Sequence, residues 1–272
     1  MGVSQLTSRD NPLLKTIRLI SSGSRRAPNQ LVLAEGIRVL EEATRSKYEI
    51  EAVIFSESFG SSEREQALLQ AWLNRGVRLF RTGAKLFESV SCVQSPQGAL
   101  ALMRVPERTL SEIAPGSNAL ILCACEIQDP GNLGTLIRAA AAAGGTMACT
   151  TKGTVSARSP KSVRASAGLF FHLAVVEHVE IAELRNYCAR HSIRLYRTDT
   201  QQGCAHTETD LRSSCATVLG NEAAGLSGSD LAGIPAIHIP MAKGVESINV
   251  AMAGTIILFE AFRQRHNTAR RK

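Results

Sequence analysis

Ala119-Leu120-Ile121-Leu122-Cys123-Ala124, then Cys125-Glu126-Ile127-Gln128-Asp129-Pro130-Gly131-Asn132, then Leu133-Gly134-Thr135-Leu136-Ile137-Arg138-Ala139-Ala140-Ala141-Ala142-Ala143-Gly144-Gly145 is the stretch that decides the fold. The first six residues form an unbroken apolar run of strand length, which reads as a buried strand. Asp-Pro-Gly-Asn is a turn, and Asn132 suits the cap of the helix that follows. That helix, Asn132–Ala143, stops at Gly144-Gly145, and Thr146–Thr150 reads as the next strand. Arg138 falls about 1.7 turns beyond Asn132 in an otherwise apolar helix. A cation in such a place pairs with something or faces a site.

The same alternation runs outward in both directions. Before it, Asn11-Pro12 opens a short amphipathic helix, and Ser21 to Asn29 reads as an exposed basic loop. Strands follow at Leu31–Ala34, Glu51–Phe55, Val77–Arg81 and Gly98–Arg104, separated by helices at Gly36–Lys47, Glu63–Asn74 and Lys85–Val90. After it, Lys161–Gly168 begins a helix, Phe170–Val176 is strand-like, and Ile181–His191 is a helix. Ile193–Arg197, Ala216–Leu219 and Ala236–Ile239 are strands, and Asn249–Arg265 is the last helix. Strands alternating with helices imply an α/β layer architecture. The weak pattern of Val105 to Asn118, with Pro106, Pro115 and Gly116, marks a boundary: 1–105 as one domain, 106–118 as linker, 119–272 as the second.

The composition leaves room for a polyanion partner. Lys and Arg number 31 against 24 Asp and Glu, a net charge of +7, which favours contact with phosphates. Seven cysteines form no CxxC pair and no zinc-ligand set with His, so no metal is expected, and reduced thiols fit a cytoplasmic setting. No apolar leader follows Met1, and the apolar stretch Val250 to Phe262 is too short and too interrupted to span a bilayer. No GxGxxG and no GxxxxGK[ST] follows any strand, which removes a phosphate-cradling nucleotide enzyme.

Three segments carry more Gly and polar residues than their strands require, and each follows a strand, where α/β sheets bind ligands. They are Asn132 to Arg138; Leu219-Gly220-Asn221-Glu222 with Gly225; and Ile239-Pro240-Met241 with Ser247-Ile248-Asn249-Val250-Ala251. Each alone has a bland reading as a cap or turn: Asn132 for one helix, Ser247 or Asn249 for another.

In this order and spacing the three segments resemble the three motifs of the SpoU/TrmH-type branch of the SPOUT methyltransferases. Pro160 to Gly168 resembles the family's linking segment. Leu33-Ala34-Glu35-Gly36-Ile37-Arg38-Val39-Leu40 resembles the start of the substrate-binding domain joined to rRNA-directed members, of L30e type. The resemblance implies a trefoil-knotted catalytic domain with a parallel sheet, a smaller L30e-like α/β domain, and a homodimer. It implies transfer of a methyl group from S-adenosylmethionine to a ribose 2′-hydroxyl of RNA, with large-subunit (23S) rRNA favoured over tRNA. A non-catalytic rRNA-binding protein is the other reading.

By the same resemblance Gly220, Ile239 and Ile248 contact the cofactor, with Leu219, Met241 and Ala251 as further pocket residues and Val218 behind them. Arg138, Asn132, Glu222, Ser247 and Asn249 make up the catalytic set. The family implies a base role for Arg138. A guanidinium, with its planar fork of donors and very weak acidity, is better suited to gripping a phosphate and stabilising charge on O2′. Glu222 is expected to orient Arg138 or a neighbouring amide. RNA contacts are expected from Arg25, Arg26, Arg38, Lys161 and Arg164, with Lys15 and Arg158 as further candidates.

Overall fold

The computed structural model describes residues 2–220 and 231–267. The chain forms two units: 1–107 with 158–172, and 108–157 with 173–272.

The first unit grows from β1 (Ser4–Leu6) and α1 (Pro12–Ser21), the latter capped by Asn11, whose side chain accepts from Leu13 N–H at 2.9 Å. Spacing of three places Leu14, Ile17 and Ile20 on its buried face. Then come β2 (Leu31–Glu35), α2 (Ile37–Arg45), β3 (Glu49–Ser56), α3 (Glu63–Asn74), β4 (Leu79–Thr82), α4 (Ala84–Glu88) and β5 (Ala99–Arg104). Ser62 and Glu65 form a reciprocal capping box at the start of α3. The mixed sheet has the order β1-β4-β3-β5-β2, with β5 antiparallel to both β2 and β3.

The second unit begins with β6 (Leu120–Ala124), α5 (Pro130–Ala142) and β7 (Met147–Thr150). The chain then joins the first unit through α6 (Pro160–Ala165) and a 3-10 turn at Leu169–His172. There His172 Nε2 lies 2.9 Å from Glu42. It resumes with β8 (Ala174–Val176), α7 (Ile181–Arg190), β9 (Arg194–Thr198), β10 (Cys204–Ala205), β11 (Cys215–Leu219), β12 (Ala236–His238) and α8 (Val250–Asn267).

This second sheet has the order β10-β12-β9-β11-β6-β7-β8, every pairing parallel. Strands β6, β7 and β11 are buried along their whole length, as a parallel sheet covered on both faces requires. Register sets Leu219 beside Ala124, so β11 and β6 end level. The last turn of α8 is tied down by Arg265, whose guanidinium donates to the carbonyls of Asn118, Ala119, Leu211 and Ser213 at 2.9–3.0 Å.

Four sequence expectations change. Phe170 and Phe171 lie in the 3-10 turn, and the strand is only Ala174–Val176; a short apolar run has no period to separate the two states. The helix expected over Lys161–Gly168 ends at Ala165, because Ala167 and Gly168 take positive φ. The cap of α5 is Asp129, whose Oδ1 accepts from Asn132 N–H at 2.7 Å, with Pro130 at the first helical position. Within the segment read as linker, Leu110 is buried in the core of the second unit.

Candidate active site

All strands of the second sheet point the same way, so their carboxyl ends share one edge. Three of the segments that leave that edge are Cys125–Asp129 after β6, the chain entering Gly220 after β11, and the chain from Ile239 after β12. From β6 the chain steps outward to β7 and β8, then crosses to the far side for β9 and β11. The reversal of direction lies at β6 and β11, where such sheets hold ligands.

Because Asp129 takes the capping role, the Asn132 side chain is released for another contact. Asn249 Nδ2 donates to Asn132 Oδ1 at 3.0 Å. The amide orientation of Asn249 follows from its other contacts. Its Oδ1 accepts from Ala251 N–H at 2.9 Å and Met252 N–H at 3.2 Å, capping α8, so the nitrogen faces Asn132. One residue therefore starts a helix and joins the first motif to the third.

Helix α8 then runs against α5, and Gly254 permits the approach. A Cβ there would stand 2.3 Å from Leu136 Cδ2 and 2.8 Å from Leu219 Cδ2. Leu136 and Leu219 are both buried, so Leu219 shapes the floor of the site through packing. Its carbonyl accepts from Cys125 N–H at 2.8 Å. Val218 is fully buried beside it.

The remaining expected residues fall into distinct places. Ile239, Met241 and Ile248 are half-buried, Ala251 is buried in the first turn of α8, and Ser247 is exposed. Arg138 is exposed on α5 and makes no ion pair among the described residues. Asn221, Glu222 and Gly225 lie outside the described residues. Arg25, Arg26, Arg38, Lys161 and Arg164 are exposed, and Lys15 pairs with Asp10 at 3.3 Å. Arg158 differs from expectation. Its guanidinium is engaged by the carbonyls of Asn29, Val105 and Pro106 at 2.8–3.3 Å, which makes it a brace inside the first unit.

One component of the edge went unread in the sequence. β9 lies between β12 and β11, so the turn that follows it opens at the same edge. Burial raises the Asp199 carboxyl, but the N–H groups of Gln202 and Gln201 and the Arg197 guanidinium outweigh it and hold it at about 2. Arg197 lies 2.6 Å from Asp199. The signal available was Asp followed by Thr-Gln-Gln-Gly, an Asx-type turn.

S-adenosylmethionine needs an apolar cradle for its adenine and backbone groups for its polar edges. Among the described residues, Ile239 to Ser247 make a single backbone–backbone bond, Val245 N–H to Ala242 C=O at 3.1 Å. Free backbone groups beside half-buried Ile239, Met241 and Ile248 fit that requirement.

A model of the SpoU rRNA methylase family matches residues 119–259, the span that contains the edge, the Asn249–Asn132 clasp and the first part of α8. The chain belongs to the SpoU rRNA methylase family. An MRM3-like substrate-binding domain matches residues 11–101 ahead of the SpoU methylase segment. The chain is 27% identical, over 94% of its length and 98% of the relative's, to the 23S rRNA (guanosine(2553)-2'-O)-methyltransferase RlmP of Bacillus subtilis (strain 168). A crystal structure of an RNA 2'-O ribose methyltransferase is 32% identical with a TM-score of 0.79, covering 96% of this chain and 99% of that one. The SpoU methyltransferase AviRb from Streptomyces viridochromogenes, solved with the cofactor AdoMet, is 26% identical with a TM-score of 0.82, over 94% of this chain and 100% of that one.

Proposed function

We propose that this SpoU-family chain transfers a methyl group from S-adenosylmethionine to a ribose 2′-hydroxyl of large-subunit (23S) rRNA. The observation that carries the reading is the Asn249–Asn132 hydrogen bond, which joins two motif loops at the carboxyl edge of the parallel sheet. The substrate-binding domain at 11–101 and the rRNA specificity named for the Bacillus relative favour rRNA over tRNA.

When bound, S-adenosylmethionine supplies an activated methyl group on a sulfonium. The chain's own residues must aim the ribose oxygen and manage its proton. Gly220, Ile239, Met241 and Ile248 would hold the cofactor through backbone groups and apolar side chains, with Leu219 and Ala251 packed behind. Arg138 grips the nucleotide's phosphate and stabilises charge developing on O2′, a role suited to a planar guanidinium. Asn132 and Asn249 hold the loops in register, Ser247 shapes the nucleotide side, and Glu222 orients Arg138 or a nearby amide.

The active form is a homodimer. Met252, Ile256 and Phe259 recur at spacings of four and three along α8 and are 63%, 37% and 43% exposed, an apolar stripe suited to a second copy. The trefoil knot belongs to the same proposal, as does a cytoplasmic setting, with which seven unpaired thiols agree.

Incubation with labelled S-adenosylmethionine and separate rRNA and tRNA pools, followed by nucleoside mass analysis, tests the reading. A 2′-O-methylnucleoside from 23S rRNA is the expected result. Label in tRNA alone would reverse the substrate, and absence of cofactor binding would overturn the enzyme class.

A further inference from the structure

The first unit contains a cleft of about 430 Å³, lined by Arg38 of α2, Arg64 of α3 and Arg164 of α6, together with Gly36, Ser95 and Gln97. The three arginines come from parts of the chain far apart in sequence, and α6 belongs to the segment that returns to this unit.

Their states differ. Arg64 is fixed by a two-pronged pair with Glu41, Nε to Oε1 and Nη2 to Oε2, both at 2.8 Å. The Arg64 hydrogen bond and charge hold the Glu41 carboxyl below its ordinary value despite some burial, so Glu41 stays an anion. Arg38 and Arg164 have no ion-pair partner among the described residues, and both are exposed to the cleft's solvent. The cleft is therefore net positive: three guanidinium groups against two carboxylates, Glu41, which Arg64 already occupies, and Glu35 in the lining, whose oxygens accept from Ser91 Oγ and Cys92 N–H.

The start of α2 adds to this. Gly36 takes a φ of +103°, which glycine holds without a Cβ penalty, and supplies no side-chain cap. Gln97 Oε1 accepts from Ile37 N–H at 2.8 Å. The amides of Arg38 and Val39 have no hydrogen-bond partner among the described residues. Planar guanidinium groups beside unsatisfied first-turn amides match a phosphate's several acceptor oxygens. The cleft's volume suits one nucleotide unit and excludes a duplex.

We propose that this cleft is an anchoring site for a phosphodiester of single-stranded RNA, gripped by Arg38 and Arg164 and buttressed by Arg64. The site rests on the RNA-substrate reading above and specifies where the first unit holds that substrate, apart from the ribose that is methylated. It offers no aromatic face, so recognition is by phosphate and not by stacking.

The test uses the full-length protein, fluorescein-labelled oligouridylate and a 23S rRNA transcript. Arg38→Gln, Arg164→Gln and the double variant are compared with Lys85→Gln, an exposed charge away from the cleft lining. The double variant is expected to bind oligouridylate at least tenfold more weakly. Its dependence of log Kd on log salt should be shallower by about 0.7 for each phosphate no longer gripped. S-adenosylmethionine affinity and melting temperature should be unchanged, and methyl transfer should recover at saturating transcript. The proposal is overturned if Lys85→Gln weakens binding as much as either cleft variant, if the double variant keeps the original salt slope, or if the unaltered protein does not bind oligouridylate. Failure of the unaltered protein to methylate any RNA would instead sink the function reading.

Discussion

Replacing Asn249 separates two roles that one side chain performs. Its Oδ1 caps α8 and its Nδ2 reaches Asn132. Asn249→Ser keeps a competent cap but is too short to reach Asn132, while Asn249→Ala loses both functions. A cap is worth about 1 kcal/mol and a partly exposed hydrogen bond about 0.5–1.5 kcal/mol. The alanine variant should therefore lose about 2 kcal/mol, roughly 4–8 °C in Tm for a unit of this size, and the serine variant about half that. At about 1.4 kcal/mol per tenfold, loss of the clasp from the transition state lowers the rate by about two- to tenfold. Both variants should show this fall in kcat with KM for RNA little changed. Differential scanning calorimetry and single-turnover methyl transfer measure the two effects. Equal stability of the serine and alanine variants would refute the capping role. An unaltered rate in Asn249→Ser would refute the clasp as a positioning contact.

Four further outcomes are expected. Gly254→Ala should unfold at lower urea concentration, because overpacking against Leu136 and Leu219 costs about 1–3 kcal/mol and the helix-propensity gain returns only about 1. Arg138→Ala should lower kcat while leaving the S-adenosylmethionine Kd unchanged; a weakened cofactor Kd would place Arg138 in the cofactor pocket instead. The Asp199 carboxyl is depressed to about 2 in the folded chain, so its stabilisation is complete above the unfolded value near 4 and vanishes as pH falls through about 2. Asp199→Asn should remove that acid dependence, on the order of 2 kcal/mol, from urea-unfolding curves, and an unchanged acid limb would contradict it. Met252→Glu should convert a dimer to a monomer in sedimentation velocity; a monomeric unaltered protein would remove the dimer proposal.

The alternation of strand and helix was legible where an element carries a distinct apolar run with a turn residue at its end, as in β6 (Leu120–Ala124), α5 before Gly144-Gly145, and β11 (Cys215–Leu219) before Gly220. Strands β1 and β10 escaped, being three and two residues long and held by pairing with β4 and β12 alone. The capping of α5 was misplaced because Asp129 and Asn132 are both competent caps, and only the contact with Asn249 separates their roles. Nothing in Arg158-Ser159-Pro160-Lys161 distinguishes a helix that returns to the first unit from one that stays, since that depends on partners such as Glu42, more than a hundred residues earlier. Arg64 was hidden for a related reason: within α3 it reads as an ordinary solvated charge. The candidate site was assigned through resemblance, because its Asn, Gly and Ser residues are individually what any turn would use.

The return of residues 158–172 to the first unit also bears on how the chain is made. Synthesis is vectorial, at about 5–20 residues per second. The first unit cannot complete its packing when residue 107 emerges; it waits several seconds more for α6 and the His172–Glu42 contact to leave the ribosome. During that interval β6, α5 and β7 are already exposed and must remain uncommitted. A nascent-chain release at residue 107 would yield a fragment lacking a piece of its own structure, so no single cut in the gene separates the two units.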